Sequence, residues 1–331
     1  MDVFYPEYYK KFRCIASACP DSCCKEWAVD VDADAAARYR ALQGDLGDRL
    51  RSVLKDGPNG AYMEIEDGRC PMWRRDGLCR IQAELGHDAL CKTCQNFPRI
   101  WHEFGDFAEL GLELSCPEAA KFILSREFQT VCMERTARSY PQDYDRDVMA
   151  TLLRSRSSAL ALLDDPAFTV PEALAALLLY AYEVQDEIDG GDACPPDFAA
   201  NLTQAKQFAK PVDPALFVDF FKGLEILTPQ WQARLSAPAG GAWCDRFRLL
   251  AKYFIMRWWL QAISDYDLVC RVKFAIAGCL LVQQLGGDPV STAQLFSKEI
   301  ENDPDNVEAI LDGAYTSPAL TDLNLLGLLL A

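Results

Sequence analysis

The stretch FRCIASACPDSCCKEW, residues 12–27, sets Cys14, Cys19, Cys23 and Cys24 within eleven positions. Its reading decides how the rest of the chain is organised. Working outward, Cys70 and Cys79 follow in GRCPMWRRDGLCRIQAELG (68–86), Cys94 in CKTCQNFPR (91–99) and Cys116 in ELSCPEAA (113–120). Close-spaced thiols suit either a disulfide framework or a shared soft cation. Disulfide frameworks belong to small secreted domains that cannot bury enough core. This chain has 331 residues, half of them hydrophobic, and has no such need. Metal is therefore the expectation, with Cys14, Cys19, Cys23, Cys24, Cys70, Cys79, Cys94 and Cys116 as ligands.

Spacing alone leaves open whether these thiols form two four-thiolate sites or one site with spare thiols. Structural zinc sites usually draw on tight pairs such as C-x2-C, and only Cys91 and Cys94 have that form. An iron–sulfur core is larger and tolerates wider, less regular spacing. The pattern therefore favours iron–sulfur, with zinc as the alternative. Pro20 suits a first helical position with Cys19 at the cap. A helix there places Cys19 and Cys23 on one face and turns Cys24 away by about 100°.

Around this region the sequence divides at about residue 125. Residues 1–125 carry the cysteines on Gly- and Asp-rich connections, and 126–331 read as helical. Met149, Leu152, Leu153, Leu160 and Leu163 recur at helical spacing until Asp164–Asp165–Pro166. Pro171 opens a second helix that runs to Gly190–Gly191. A third, from about Trp243 to Ile263, is apolar on most faces and is expected to be central. A fourth runs from about Asp267 to Leu285 before Gly286–Gly287, and Asp303–Pro304 opens a fifth. The best strand signal is AYMEIE, residues 61–66. The fold class is mostly α: a cysteine-rich metal-binding region packed on a helical domain.

The amino-terminal residues lack the charged start and apolar run of a secretory signal. Arg257, Arg271 and Lys273 interrupt the longest apolar runs, which fall short of the roughly 18 residues of a membrane span. A cytoplasmic protein without a membrane segment is expected. A net charge of −16 and the lack of a basic stripe exclude a nucleic-acid partner. An acidic surface suits a basic substrate such as a lysine side chain, besides conferring solubility.

Together with LAKYFIMRW (250–258) and LFSKEIENDPDNVEAILD (295–312), the four cysteine stretches resemble the flagellin lysine N-methylase family. Each of the eight cysteines matches a family cysteine. Cys91 departs, where the family usually has another small residue. The resemblance implies transfer of methyl groups from S-adenosylmethionine to lysines of flagellin, and a 4Fe–4S cluster held by these cysteines. Nothing else in the chain reports the methyl donor. There is no G-x-G-x-x-G after a strand, and no C-x3-C-x2-C triad, because Cys24 follows Cys23 at once.

Arg99 is the candidate for the donor's carboxylate, with a structural salt bridge as the alternative. His87 and His102 read as surface or loop residues. Glu118 complements a helix start after Pro117. Cys132, Cys194, Cys244, Cys270 and Cys279 read as small buried hydrophobes, and Phe254, Trp258 and Trp259 as core. The catalytic base is not identifiable. Two other functions fit the same residues: a zinc-binding interaction module without catalysis, and an iron–sulfur electron carrier or redox sensor.

Overall fold

A computed structural model describes residues 1–331 except 24–27, 59, 126–129, 138–140, 142 and 194. The chain is mostly helical, with seven short strands among the described residues. They are β1 (Asp2–Pro6), β2 (Val29–Val31), β3 (Leu54–Gly57), β4 (Gly60–Met63), β5 (Arg99–Glu103), β6 (Phe107–Leu112) and β7 (Val131–Arg135). One sheet has the order β5–β6–β1–β7, the other β2–β4–β3. In the first, β1 runs parallel to β6, with Val3 opposite Ala108, and antiparallel to β7. Both β1 and β6 alternate buried and half-buried residues, as a sheet with one face in the core requires.

The expected long helices are present. Arg146–Asp164 is capped by the Asp145 carboxylate, and Val170–Ile188 by a capping box of Thr169 and Glu172. The third spans Asp245–Trp258 and tightens to a 3-10 helix over Trp259–Ser264. Val269–Leu285 and Pro304–Thr316 complete the set. Among the described residues, no helix is long and apolar enough to cross a membrane. Within Val269–Leu285 the buried charges are compensated: Lys273 Nζ donates to Ala314 O and pairs with Asp322, each at 2.8 Å, and Arg271 pairs with Asp265 at 2.8 Å.

Two findings correct the sequence reading. Pro20–Cys23 is irregular; Cys19 instead ends a short 3-10 helix over Ala16–Ala18. The strand signal at 61–66 shrinks to Gly60–Met63, and the four-stranded sheet carries no strong signal at all. Its strands are short, and although β5 and β6 form a local hairpin, the partners of β1 lie more than a hundred residues away.

The largest apolar core joins both halves of the chain. Tyr8, Phe12, Leu112, Leu114 and Ile123 pack with Leu152, Leu177, Tyr253, Phe254 and Phe274. A second core gathers Val29, Val31, Leu50, Met63, Met72, Ile81 and Cys91 around the small sheet. Between the helices Pro289–Phe296 and Pro304–Thr316, residues Ser297–Glu301 form one π-helical turn whose five residues are all buried. The wider turn points Lys298, Glu299 and Glu301 inward, a geometry that recurs at functional sites.

Candidate functional site

All described cysteines are thiols rather than disulfides. Cys24 and Cys194 lie outside the described residues. Two of the other candidate ligands cap helices, Cys79 before Arg80–Leu85 and Cys116 before Pro117–Ile123, and Cys94 lies within Lys92–Asn96 after the capping Cys91. Backbone N–H groups of Ile81 and Gln82 donate to Cys79, and those of Glu118 and Ala119 to Cys116. Such donors favour a thiolate, but burial outweighs them. The Cys79 and Cys19 thiols are pushed up, and Cys116 reaches about 11.

The electrostatic fields of the thiols fall into two neighbourhoods. Cys116 feels Cys19 and Cys14, and Cys19 feels Cys14 and Cys23. Cys79 feels Cys70 and Cys23, while Cys94 feels Cys91, Cys79 and Cys23. Cys23 belongs to both. Cys91, passed over in the sequence reading, shares one proton with Cys94. The Cys94 thiol donates to it, which lowers Cys91 to about 7 and raises Cys94. Its C-x2-C spacing was the signal that could have found it.

Thiols of separate segments thus lie within electrostatic reach of one another, and N–H groups donate to Cys79 and Cys116; thiols with such donors are the chemistry an iron–sulfur or zinc site uses. Among the described residues no three Cys, His, Asp or Glu side chains stand arranged to hold a metal ion. The remaining single cysteines divide. Cys270 and Cys279 are buried, Cys132 is half-buried on β7, and Cys244 is exposed at the start of Asp245–Trp258, against expectation.

The helical region clamps the first neighbourhood. Between Cys19 and Cys23, Asp21 accepts from buried Lys298 at 3.1 and 3.2 Å and from Gln294 at 3.1 Å. Gln294 also donates to Ser115 O at 2.8 Å, beside Cys116. Gln294, in the helix Pro289–Phe296, therefore holds two separate cysteine segments at once, and Lys298 of the π turn reinforces the first of them.

Beyond Ser115 the buried polar groups continue. Glu301 Oε2 accepts from the Tyr253 hydroxyl at 3.0 Å, and its Oε1 from Arg257 Nε at 3.0 Å and Trp258 Nε1 at 3.1 Å. Burial drives the Tyr253 hydroxyl well above its ordinary pKa and raises Glu113 despite the nearby Arg257. Burial opposes the charge of Arg257, but Tyr253, Glu301 and Glu113 outweigh it and raise its pKa. Trp258 is therefore a working partner of Glu301, whereas Phe254 and Trp259 are core as expected.

Two hollows flank this cluster. A cavity of about 670 Å³ opens between the β1–β6 face and the helices Arg146–Asp164 and Asp245–Trp258, with Tyr253 and Arg257 in its wall. His102, on β5, lines it too, and is neither a surface nor a loop residue. Burial lowers the imidazole to about 4, so it is neutral. Arg156 and Glu109 close one wall as a buried bidentate pair at 2.5 and 2.7 Å. On the other side, a cleft of about 530 Å³ is lined by Glu301, Asp265, Asp267, Glu308 and Asp312 with Trp258 and Tyr315. Arg99 is elsewhere, with its guanidinium over the rings of Phe12 at 5.3 Å and Tyr9 at 5.8 Å.

Fold and site define a class: a cysteine-rich, mostly helical protein with two ligand-sized hollows beside a common buried polar cluster. Over 130 residues, 36% of this chain, it is 34% identical to the flagellar biosynthetic protein FliU of Salmonella muenchen, covering 75% of that protein. Over 138 residues, 40% of the chain, it is 31% identical to the lysine-N-methylases of Salmonella typhimurium and Salmonella choleraesuis. The match spans 34% of the length of those two relatives. The chain belongs to the flagellin lysine N-methylase family. No family model and no solved structure matches it.

Proposed function

We propose that this chain is a protein-lysine N-methyltransferase of the cytoplasm, acting on flagellin with S-adenosylmethionine as donor and carrying a 4Fe–4S cluster. The observation that carries this reading is the 34% identity to FliU over most of that protein's length. The geometry supports it from the substrate's side. A lysine side chain is a cation on an apolar stem. The cleft offers it carboxylates beside the side chains of Trp258 and Tyr315.

In this reaction the lone pair of a neutral lysine amine attacks the sulfonium methyl carbon. The carbon–sulfur bond breaks with its electrons going to sulfur, and S-adenosylhomocysteine and a methylated ammonium result. The protein has to align the amine, exclude water and accept the amine's proton. Burial of Tyr253, Arg257 and Glu301 keeps the wall between the two hollows dry. The cluster would be held by thiolates drawn from Cys14, Cys19, Cys23, Cys24, Cys70, Cys79, Cys94 and Cys116. When bound, it would supply a covalent brace between these segments and an iron able to accept a donor group.

Anaerobically purified protein should transfer methyl groups from S-adenosylmethionine to flagellin lysines, read by intact mass. The rate should rise with pH as more of the amine, with a free pKa of about 10.4, becomes neutral. Iron-loaded protein that methylates nothing and binds no donor would overturn the reading in favour of a non-catalytic binding module.

A further inference from the structure

The cavity behind β1 and β6 carries a feature that closed cores avoid. Buried polar atoms are almost always hydrogen-bonded, because leaving one unpaired costs desolvation with no return. Two residues in this wall break that rule. Arg257 Nη1 and His102 Nε2 are both buried and have no hydrogen-bond partner among the described residues. Neither is loosely held. Arg257 is fixed through Nε on Glu301 at 3.0 Å, and His102 through Nδ1 on Gln261 at 2.8 Å. An amide nitrogen can only donate, so with Gln261 so oriented, Nδ1 of the neutral ring accepts and the proton lies on Nε2. Both unpaired atoms are therefore donors, and both residues line the cavity, near enough for the Arg257 charge to be felt at His102. The complementary ligand group is an anion with two acceptor oxygens: a carboxylate.

The rest of the cavity specifies what carries that carboxylate. Its volume, about 670 Å³, lies inside the range of small-molecule sites, about 300–1,000 Å³. Phe4, Phe107, Leu153 and Leu160 line it, and the Phe4 and Phe107 rings meet edge to face at 6.3 Å. This wall suits a flat aromatic group. Glu109, although paired with Arg156, retains acceptor lone pairs for an amino group.

We propose that this cavity binds the methyl donor, with the amino-acid carboxylate on Arg257 and His102 and the nucleoside base against the apolar wall. This assignment rests on the function proposed above and moves the carboxylate contact from Arg99 to Arg257. It also explains the shared polar cluster. Glu301 fixes Arg257 on the donor side and, with its side chain buried, borders the acidic cleft on the other, so one buried cluster separates the two hollows.

The test is calorimetric titration of the full chain with S-adenosylhomocysteine and with 5′-methylthioadenosine, which has the nucleoside but no carboxylate. Arg257→Gln should weaken S-adenosylhomocysteine by about tenfold or more, the usual scale of a lost charge-assisted contact, and leave 5′-methylthioadenosine within about twofold. Leu160→Trp, which fills the apolar end, should weaken both. Unchanged binding in both variants, or equal weakening of the two ligands by Arg257→Gln, overturns the cavity assignment. Flagellin methylation by the wild type would then still support the functional reading. Should Arg257→Gln fail to fold, Leu160→Trp decides alone, and unchanged binding overturns the assignment. A wild type that binds neither ligand overturns both the assignment and the methyltransferase reading.

Discussion

Arg257 and Glu301 form an ion pair at 3.0 Å, and the two residues border different hollows: Arg257 the large cavity, Glu301, with its side chain buried, the acidic cleft. The Glu301 side chain is fully buried and holds three donors, from Tyr253, Arg257 and Trp258. A buried pair with this many hydrogen bonds fixes geometry more than it adds stability. Here the fixed element is the buried cluster between two hollows.

Removing one member of the other buried pair in the cavity should be costly. Glu109→Gln leaves the Arg156 guanidinium without its carboxylate, where their side chains are only 12% and 9% exposed. A loss of about 3–5 kcal/mol is expected from urea unfolding. The double variant Arg156→Met with Glu109→Leu should recover most of it. If the double variant is as unstable as the single one, the charge explanation is wrong and packing dominates.

Gly278 sets a sign. A methyl group there would stand 2.7 Å from Cε2 and Cζ of Phe254, whose ring is fully buried. Helix propensity alone favours alanine over glycine by about 1 kcal/mol. Overpacking a rigid core costs about 1–3 kcal/mol, so the clash should win and Gly278→Ala should melt at lower temperature. A higher melting temperature would mean the ring can move aside.

His102 links stability to pH. Its folded pKa is lowered by burial to about 4, against about 6.5 unfolded. Between these values the unfolded chain binds the proton and the folded chain does not, so stability rises with pH in that window. Above about pH 6.5 the contribution is fully present. It is lost as pH falls toward 4, with a total on the order of 3 kcal/mol. Urea midpoints of wild type and His102→Gln, compared at neutral pH and near pH 4, should diverge in slope. Parallel curves would show that the ring is solvated.

The thiols make a chemical prediction. Cys79→Ser, Cys94→Ser and Cys116→Ser should each lower the iron content of anaerobically purified protein and its melting temperature. A structural metal site contributes on the order of 10 kcal/mol to folding. Cys279→Ser, at a fully buried position among apolar helices, should leave iron unchanged. Equal loss from Cys279→Ser would remove the basis for the ligand assignment. Protein purified with zinc and no iron would replace the cluster by the zinc alternative.

What the sequence by itself determined is what neighbours within a few residues decide. The helices Arg146–Asp164, Val170–Ile188, Val269–Leu285 and Pro304–Thr316 were legible because apolar spacing, Pro and capping side chains all act within a turn or two. So was the tendency of thiols to occur in groups, and the resemblance those groups carry. The pairing of β1 with β6, more than a hundred residues apart, was not legible, since short strands acquire their register only from what packs on them. Nor was the π turn, whose inward charges make sense only with Asp21, Tyr253 and Arg257 in place. His102 looked like a surface residue because a lone polar side chain carries no sign of its surroundings. Tertiary structure alone decided that it faces a cavity, because desolvation depends on all the atoms around a group, and most of those come from elsewhere in the chain.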